Sequence, residues 1–299
     1  MHPAVARPVT DRPDIGIFAR VFPVQHARSL ARTVRGLGFS CVQLNLVAVG
    51  QPTIPTVDEL ASIDLAAVAR DFAEAEVSIW GLSATYNMAH PDPAKRAALS
   101  HRAAALIARA PELGGAAVSL CTGTRDPDDQ WRAHPDNTTE AAWNDMLESL
   151  DILLDAASHG GVTLAVEPEP ANIIRDTDAA CRLIGDLGDR AAHVGFILDP
   201  ANLVAGTDPA GYPQILDDAF TRLGSKTICV HAKDVIPWHE RLAGAPGLEF
   251  DHIARLHAGL PTPVPVIIQD IAADEAAAAR DLLLAAVHRV AGVARNLGA

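Results

Sequence analysis

Four short apolar runs in the second half of the chain each stop on a side chain that can hold a metal ion or move a proton. TLAVE ends at Glu167, VGFILD at Asp199, ICVH at His231 and VIIQ at Gln269. Successive members of this set lie about 32 to 38 residues apart, close to the roughly 30 or more residues of one strand-plus-crossover-helix unit. Four consecutive parallel strands would therefore deliver Glu, Asp, His and Gln to one common end. Two carboxylates, a neutral imidazole and an amide carbonyl are oxygen and nitrogen donors without a thiolate. That set suits one divalent cation among Mn²⁺, Mg²⁺, Co²⁺ and Zn²⁺ and disfavours thiophilic metals.

The elements that must position these groups can be read in chain order. Residues 15–22 read as a first strand and 25–37 as a helix. Residues 41–46 form a second strand whose one face carries Gln43 and Asn45, a polar face that could look into a site. A helix over 64–75 leads to a third strand from Val77. The following TYNMAHPDP places His90 just before a helix that Asp92 can cap and whose Pro93 suits its first turn. The fourth strand, AAVSL, runs into CTGTRDPDDQWRAHPDN, far longer than the roughly two to six residues of most βα loops. Such a connection reads as a lid or binding loop, with Arg125, Trp131 and His134 its chemically useful members and Trp238, in the loop 237–248, opposite them. Helices over 141–159 and 176–186 and a closing Ala-rich helix complete eight strand-helix alternations. They predict an α/β fold, a single (β/α)8 barrel over 15–299, after an extended or disordered segment 1–14. In such barrels the chemistry lies at the C-terminal ends of the strands.

Bulk properties narrow the partners. A formal charge of −13, from 24 basic against 37 acidic residues, argues against nucleic acid. No stretch approaches the roughly 18 apolar residues of a membrane span, and residues 1–14 have no apolar leader core, so the expected location is cytoplasmic. Cys41, Cys121, Cys181 and Cys229 lack CxxC spacing and read as reduced, structural thiols. The expected partner is a small molecule, with a homo-oligomer left open.

The alternation, together with TYNMAHPDP, LCTGTRDP, WRAHPDN, AVEPEPAN, ILDPANL and HAKD, resembles the sugar phosphate isomerase/epimerase family of the xylose isomerase-like TIM barrel superfamily. The likeness covers nearly the whole chain. In that superfamily the ends of strands five to eight supply Glu, Asp, His and Glu to one divalent metal that holds a hydroxy-ketone. The resemblance thus implies Glu167, Asp199 and His231 as ligands, with Gln269 in the fourth place and Mn²⁺ the favoured ion. Two departures stand out: Asn202 occupies a place where many members carry His, and Gln269 stands where a second glutamate usually works as an acid or base.

The leading expectation is a metal-dependent isomerase or epimerase of a keto-sugar or polyol acting through an enediolate. Glu167 is the expected base, His90 or Glu169 the candidate second acid, and Lys233 or Arg125 the group for a distal hydroxyl or phosphate. Glu169, Asn202, Arg125, Trp131, His134 and Trp238 are expected around the substrate. A missing second carboxylate favours a one-base, same-face shift over inversion, and an unphosphorylated substrate is preferred for want of a basic cradle. A lyase or dehydratase that expels a β-substituent after the same proton removal is the alternative. A sugar-binding barrel without catalysis is the reading from another class.

Overall fold

The computed structural model describes residues 14–297, with side chains described through residue 292; the expectation for the N-terminal segment 1–13 lies outside the described residues. Eight parallel strands close into a barrel in sequence order: β1 (Ile15–Phe18), β2 (Cys41–Leu44), β3 (Ser78–Ser83), β4 (Ala117–Leu120), β5 (Thr163–Val166), β6 (Val194–Leu198), β7 (Thr227–Ala232) and β8 (Val266–Ile268). Closure comes from β1 pairing with β8, with Gly16 opposite Ile267. The eight main outer helices are α1 (Ala27–Gly36), α2 (Leu65–Glu74), α3 (Pro93–Arg109), α4 (Glu140–Gly160), α5 (Thr177–Leu187), α6 (Tyr212–Leu223), α7 (Phe250–Ala258) and α8 (Ala276–Leu297). Two of them, α6 and α7, are not delimited in the sequence reading.

Local chemistry sets the helix starts. Asp92 Oδ1 accepts from the backbone of Ala94 and Lys95, with Pro93 in the first turn of α3. Thr139 and Asp176 cap α4 and α5 in the same way. These side chains satisfy amides that have no partner within the helix.

The strands place the site by simple alternation, because side chains two residues apart share a face. The barrel interior is a small cluster of Cys41, Ala165, Ile197, Cys229 and Ile267, flanked by Phe18, Trp80 and Ile228. Two residues further along the same strands come Gln43, Glu167, Asp199, His231 and Gln269. Each polar group is therefore the next inward position above an apolar plug. Gly16 fits this plug because a Cβ there would lie 2.5 Å from Cys41 Sγ. Outward residues such as Ile17, Val42, Leu164, Phe196 and Val230 join the larger core between barrel and helices.

Candidate active site

A cavity of about 640 Å³ opens at the C-terminal ends of the strands, walled by Gln43, Ser119, Glu167, Glu169, His231 and Gln269, with Lys233, Asp270, Arg20 and Trp131 nearer its mouth. Glu167 and His231 line it, and their ligand atoms and that of Asp199, which is fully buried, lie within 4.8 Å of one another. All three residues are buried. Two carboxylates and an imidazole, converging in a polar cavity above an apolar plug, fit a single hard or borderline divalent cation.

The surrounding hydrogen bonds hold these groups. Asp199 Oδ1 accepts from the backbone of Ala201 (2.9 Å) and Asn202 (3.2 Å), which leaves Oδ2 to the cluster. Nδ1 of His231 faces Glu167 Oε1 at 3.1 Å, and its Nε2 meets Gln43 Oε1 at 2.8 Å. Gln43 Nε2 in turn donates to Ser119 Oγ at 3.0 Å, which orients the amide. Asn202 Nδ2 donates to both Glu169 Oε2 (2.6 Å) and Glu167 Oε1 (3.1 Å). Its Oδ1 accepts from Lys233 Nζ at 2.7 Å. Gln269 enters with its amide nitrogen, 2.8 Å from Asp199 Oδ2 and 3.4 Å from Glu167 Oε1. In this arrangement it donates to the carboxylates, so the expected fourth metal ligand is here a hydrogen-bond donor to the other two.

Burial and charge act against each other in the cluster. Burial favours a neutral Glu167, but His231 and Lys233 outweigh it and hold its pKa below the usual carboxylate value. Burial likewise opposes an imidazolium at His231, while Glu167 and Asp199 raise its pKa. Asp199 is pushed up by burial and by Glu167. Glu169 is pushed up to about 7, first by burial and then by the neighbouring Glu167 charge. Burial works against the Lys233 ammonium, yet Asp199, Asp270 and the two glutamates hold its pKa above the ordinary lysine value. Lys233 Nζ lies 3.3 Å from Asp270 Oδ2 and 3.7 Å from Asp199 Oδ2, so it remains a cation at the cavity mouth.

Several expected site residues sit elsewhere. His90 is buried, but both ring nitrogens are taken: Nε2 meets the Pro127 carbonyl at 3.1 Å and Nδ1 accepts from Asp92 N at 3.0 Å. It is a strut for the long β4–α4 connection and does not line the main cavity. Arg125 bonds Asp145 and the Ala89 carbonyl, facing away from the cluster. His134 accepts from Asp136 N and opens the helical turn before α4. Trp238 is buried, stacked on Phe250 at 5.8 Å, and donates to the Gln269 carbonyl at 3.2 Å. It fixes the backbone after β8 and does not line the main cavity. Of the long connection's expected members, only Trp131 lines the main cavity.

Asp270 is the converse case. Strand alternation would turn it away from Gln269, but β8 ends at Ile268 and Asp270 has φ +52, in the left-handed region. Its side chain therefore returns to the cavity mouth and pairs with Lys233. Of the polar face on β2, Gln43 reaches the site, whereas Asn45 accepts from Val47 N and Thr53 Oγ1 and caps a helical turn. Asp234 is likewise local, accepting from Val235 N and Leu248 N and pairing with Arg241. Ser83, Ser119 and Cys121 also line the cavity. Inward parity on β3 and β4 is the only signal that could have found them.

The chain belongs to the family described as xylose isomerase-like TIM barrel, whose model matches residues 31–259. No curated protein matches the sequence. Among solved structures it is similar to an L-ribulose 3-epimerase, with 17% identity over 96% of this chain and 99% of the other and a TM-score of 0.72. A D-psicose 3-epimerase from Clostridium cellulolyticum H10, solved with D-tagatose, has 14% identity over 92% and 99% and a TM-score of 0.68. A 3-keto-D-glucoside 4-epimerase from E. coli has 16% identity over 92% and 100% and a TM-score of 0.65. At these identities the likeness is one of fold.

Proposed function

We propose that this chain is a divalent-metal-dependent isomerase or epimerase of carbohydrate metabolism, acting on a hydroxy-ketone sugar or polyol. The observation that carries this reading is the buried Glu167–Asp199–His231 cluster, two of whose members line a polar cavity at the strand ends. Family membership and the epimerases among its structural neighbours support it. Glu167, Asp199 and His231 would hold the ion, with Mn²⁺ favoured. Once bound, such an ion supplies Lewis-acid polarisation of the substrate carbonyl and stabilises negative charge developing on oxygen.

The chain's own groups then divide the proton work. Glu167, anionic in the site, is placed to take the proton from the carbon beside the carbonyl. Glu169, whose carboxyl holds its proton up to about pH 7, is placed to return one to the neighbouring carbon or oxygen. Both carboxylates accept from the same Asn202 amide nitrogen, so they approach from one side of the cavity. That arrangement favours a same-face shift over inversion between opposed bases. Lys233 and Ser119 offer donors to substrate hydroxyls, and Trp131 gives the mouth an aromatic wall. The lyase reading shares the first step and needs no second carboxyl; it stands second because the similar solved structures are epimerases.

The test combines metal analysis of freshly purified protein with a keto-sugar panel in deuterated water. Isomerisation conserves mass and carries solvent deuterium into the product, whereas elimination releases a β-substituent or an absorbing enone. Protein that binds a divalent ion but exchanges no hydrogen in any hydroxy-ketone would sink the catalytic reading in favour of a binding protein.

A further inference from the structure

Beside the catalytic cavity lies a second chamber of about 410 Å³, bordered by Thr85, His90, Lys95, Leu99, Asp128 and Gln130. Thr85 lines both spaces, so the two are neighbours across a single residue. Consecutive residues of the β4–α4 connection divide between them: Trp131 borders the catalytic cavity and Gln130 the chamber. The first cavity alone falls within the roughly 300–1,000 Å³ of ligand sites that enclose drug-sized molecules. A free hexose is smaller than a drug-sized molecule and leaves the second chamber unused.

The chamber is an open cleft, with Lys95, Pro127 and Asp128 exposed on its rim, and buried polar groups beneath it hold its wall. Asn87 Nδ2 donates to the Asp126 carbonyl, and its Oδ1 accepts from Thr124 N. Asp126 Oδ1 accepts from the backbone of Asp128 and Asp129, and His90 meets the Pro127 carbonyl. Asn137 holds the far end, accepting from Arg125 N and donating to the Ala171 carbonyl. These bonds keep the connection standing away from Thr85. The chamber therefore exists before any ligand arrives.

Its lining says what it would take. Lys95 is its only Lys or Arg, and Asp128 and Asp129 face the same space, so an anionic group such as a phosphate is not favoured there. Ile54, Leu99 and Pro127 supply apolar surface. The side chains of Thr85, Lys95, Asp128 and Gln130 have no hydrogen-bond or ion-pair partner among the described residues. Apolar faces edged by free donors and acceptors match a neutral pyranose ring, and Trp131, 46% exposed at the junction, offers a face on which a sugar can stack.

We infer that the chamber is a subsite for a second, uncharged sugar residue, so that the substrate is a glycosylated keto-sugar and not a free monosaccharide. This rests on the proposed reading of the catalytic cavity as a keto-sugar site. Calorimetry on the full chain supplied with Mn²⁺ tests it, comparing D-fructose with the glucosyl-fructoses that carry glucose on the 3-, 4-, 5- or 6-hydroxyl. At least one glucosyl-fructose should bind tenfold or more tightly than fructose. Gln130→Trp and, independently, Lys95→Trp fill the chamber from exposed or half-exposed positions and should bring that ratio down to about one. Equal affinity for fructose and every glucosyl-fructose overturns the subsite, as does a preference that survives both substitutions in folded protein. Hydrogen exchange of the same sugars in deuterated water is read separately. Its absence would count against the catalytic reading, while the affinity ratio alone decides the subsite.

Discussion

Gln43 on β2 accepts, through Oε1, from Nε2 of His231 on β7 at 2.8 Å, across the barrel interior. The bond leaves Nδ1, on the Glu167 side, with a free lone pair whenever the imidazole is neutral. A ligating histidine whose second nitrogen is fixed in this way has its tautomer chosen in advance. Ser119 completes the chain by fixing the Gln43 amide. Replacing Gln43 by Leu should weaken Mn²⁺ or Co²⁺ binding by about 10- to 100-fold. Gln43→Glu should restore much of it. Competition titration against a chromophoric chelator measures both, and unaltered affinity in Gln43→Leu would show that the bond has no part in holding the ion.

The cluster itself makes a sharper demand. Asp199→Asn keeps the oxygen that accepts from Ala201 N and Asn202 N, so the fold at the end of β6 should survive while the proposed charged ligand is lost. His231→Ala removes the nitrogen ligand. Both proteins should emerge from purification with far less than one equivalent of metal. For the wild type, ion at a hundredfold excess over Kd adds about 2.7 kcal/mol of stability, so a chelator should lower its Tm and leave the variants' Tm unmoved. Full metal content in either variant defeats the assignment.

Glu167, Asp199, His231 and Gln269 were legible because each ends an apolar run at inward parity, and parity survives any small error in strand bounds. Gln43 was half legible: its face was readable, but not that it would meet a residue 188 positions away. His90 was misplaced because sequence shows that a histidine lies in a loop, not that both nitrogens already have partners. Strand alternation alone would turn Asp270 away from the site, but β8 ends two residues earlier and a positive φ resets the side-chain direction. Trp238 looked like a lid because its loop is rich in Gly and Pro, yet its indole found an aromatic neighbour and a carbonyl inside the molecule.

Glu169 should leave a mark on the pH dependence of stability. An unfolded glutamate loses its proton near 4.5, while burial and Glu167 hold the folded carboxyl protonated up to about 7. Between those values the folded chain binds more protons than the unfolded one, so stability from this group is present below about 4.5 and is lost as pH rises to about 7. Thermal unfolding of metal-free protein at pH 5 and pH 8 should show a larger alkaline loss of Tm in the wild type than in Glu169→Gln. The same substitution should lower kcat by about 100-fold or more if the carboxyl moves a proton in the reaction. An identical pH response in both proteins would show that the folded carboxyl is not raised, and an unchanged kcat in Glu169→Gln would remove it from the proton pathway.

The proposed reading makes Gln269 the residue on which the stereochemistry turns. An amide cannot exchange a proton near neutral pH, and here its nitrogen is committed to Asp199 Oδ2 at 2.8 Å. With Glu167 and Glu169 sharing one amide donor from Asn202, the only carboxyls within the cluster that can trade protons with substrate stand on one side. A one-base transfer in deuterated water should then retain part of the substrate hydrogen in the product. Gln269→Glu keeps the length of the side chain and adds a carboxyl where the amide now meets Asp199 Oδ2 and Glu167 Oε1. It should leave metal stoichiometry at one, while increasing solvent deuterium in the product and shifting the balance towards epimerised material. Complete exchange by the wild-type protein, with an epimerase activity that vanishes in Glu169→Gln and persists in Glu167→Gln, would defeat the same-face reading.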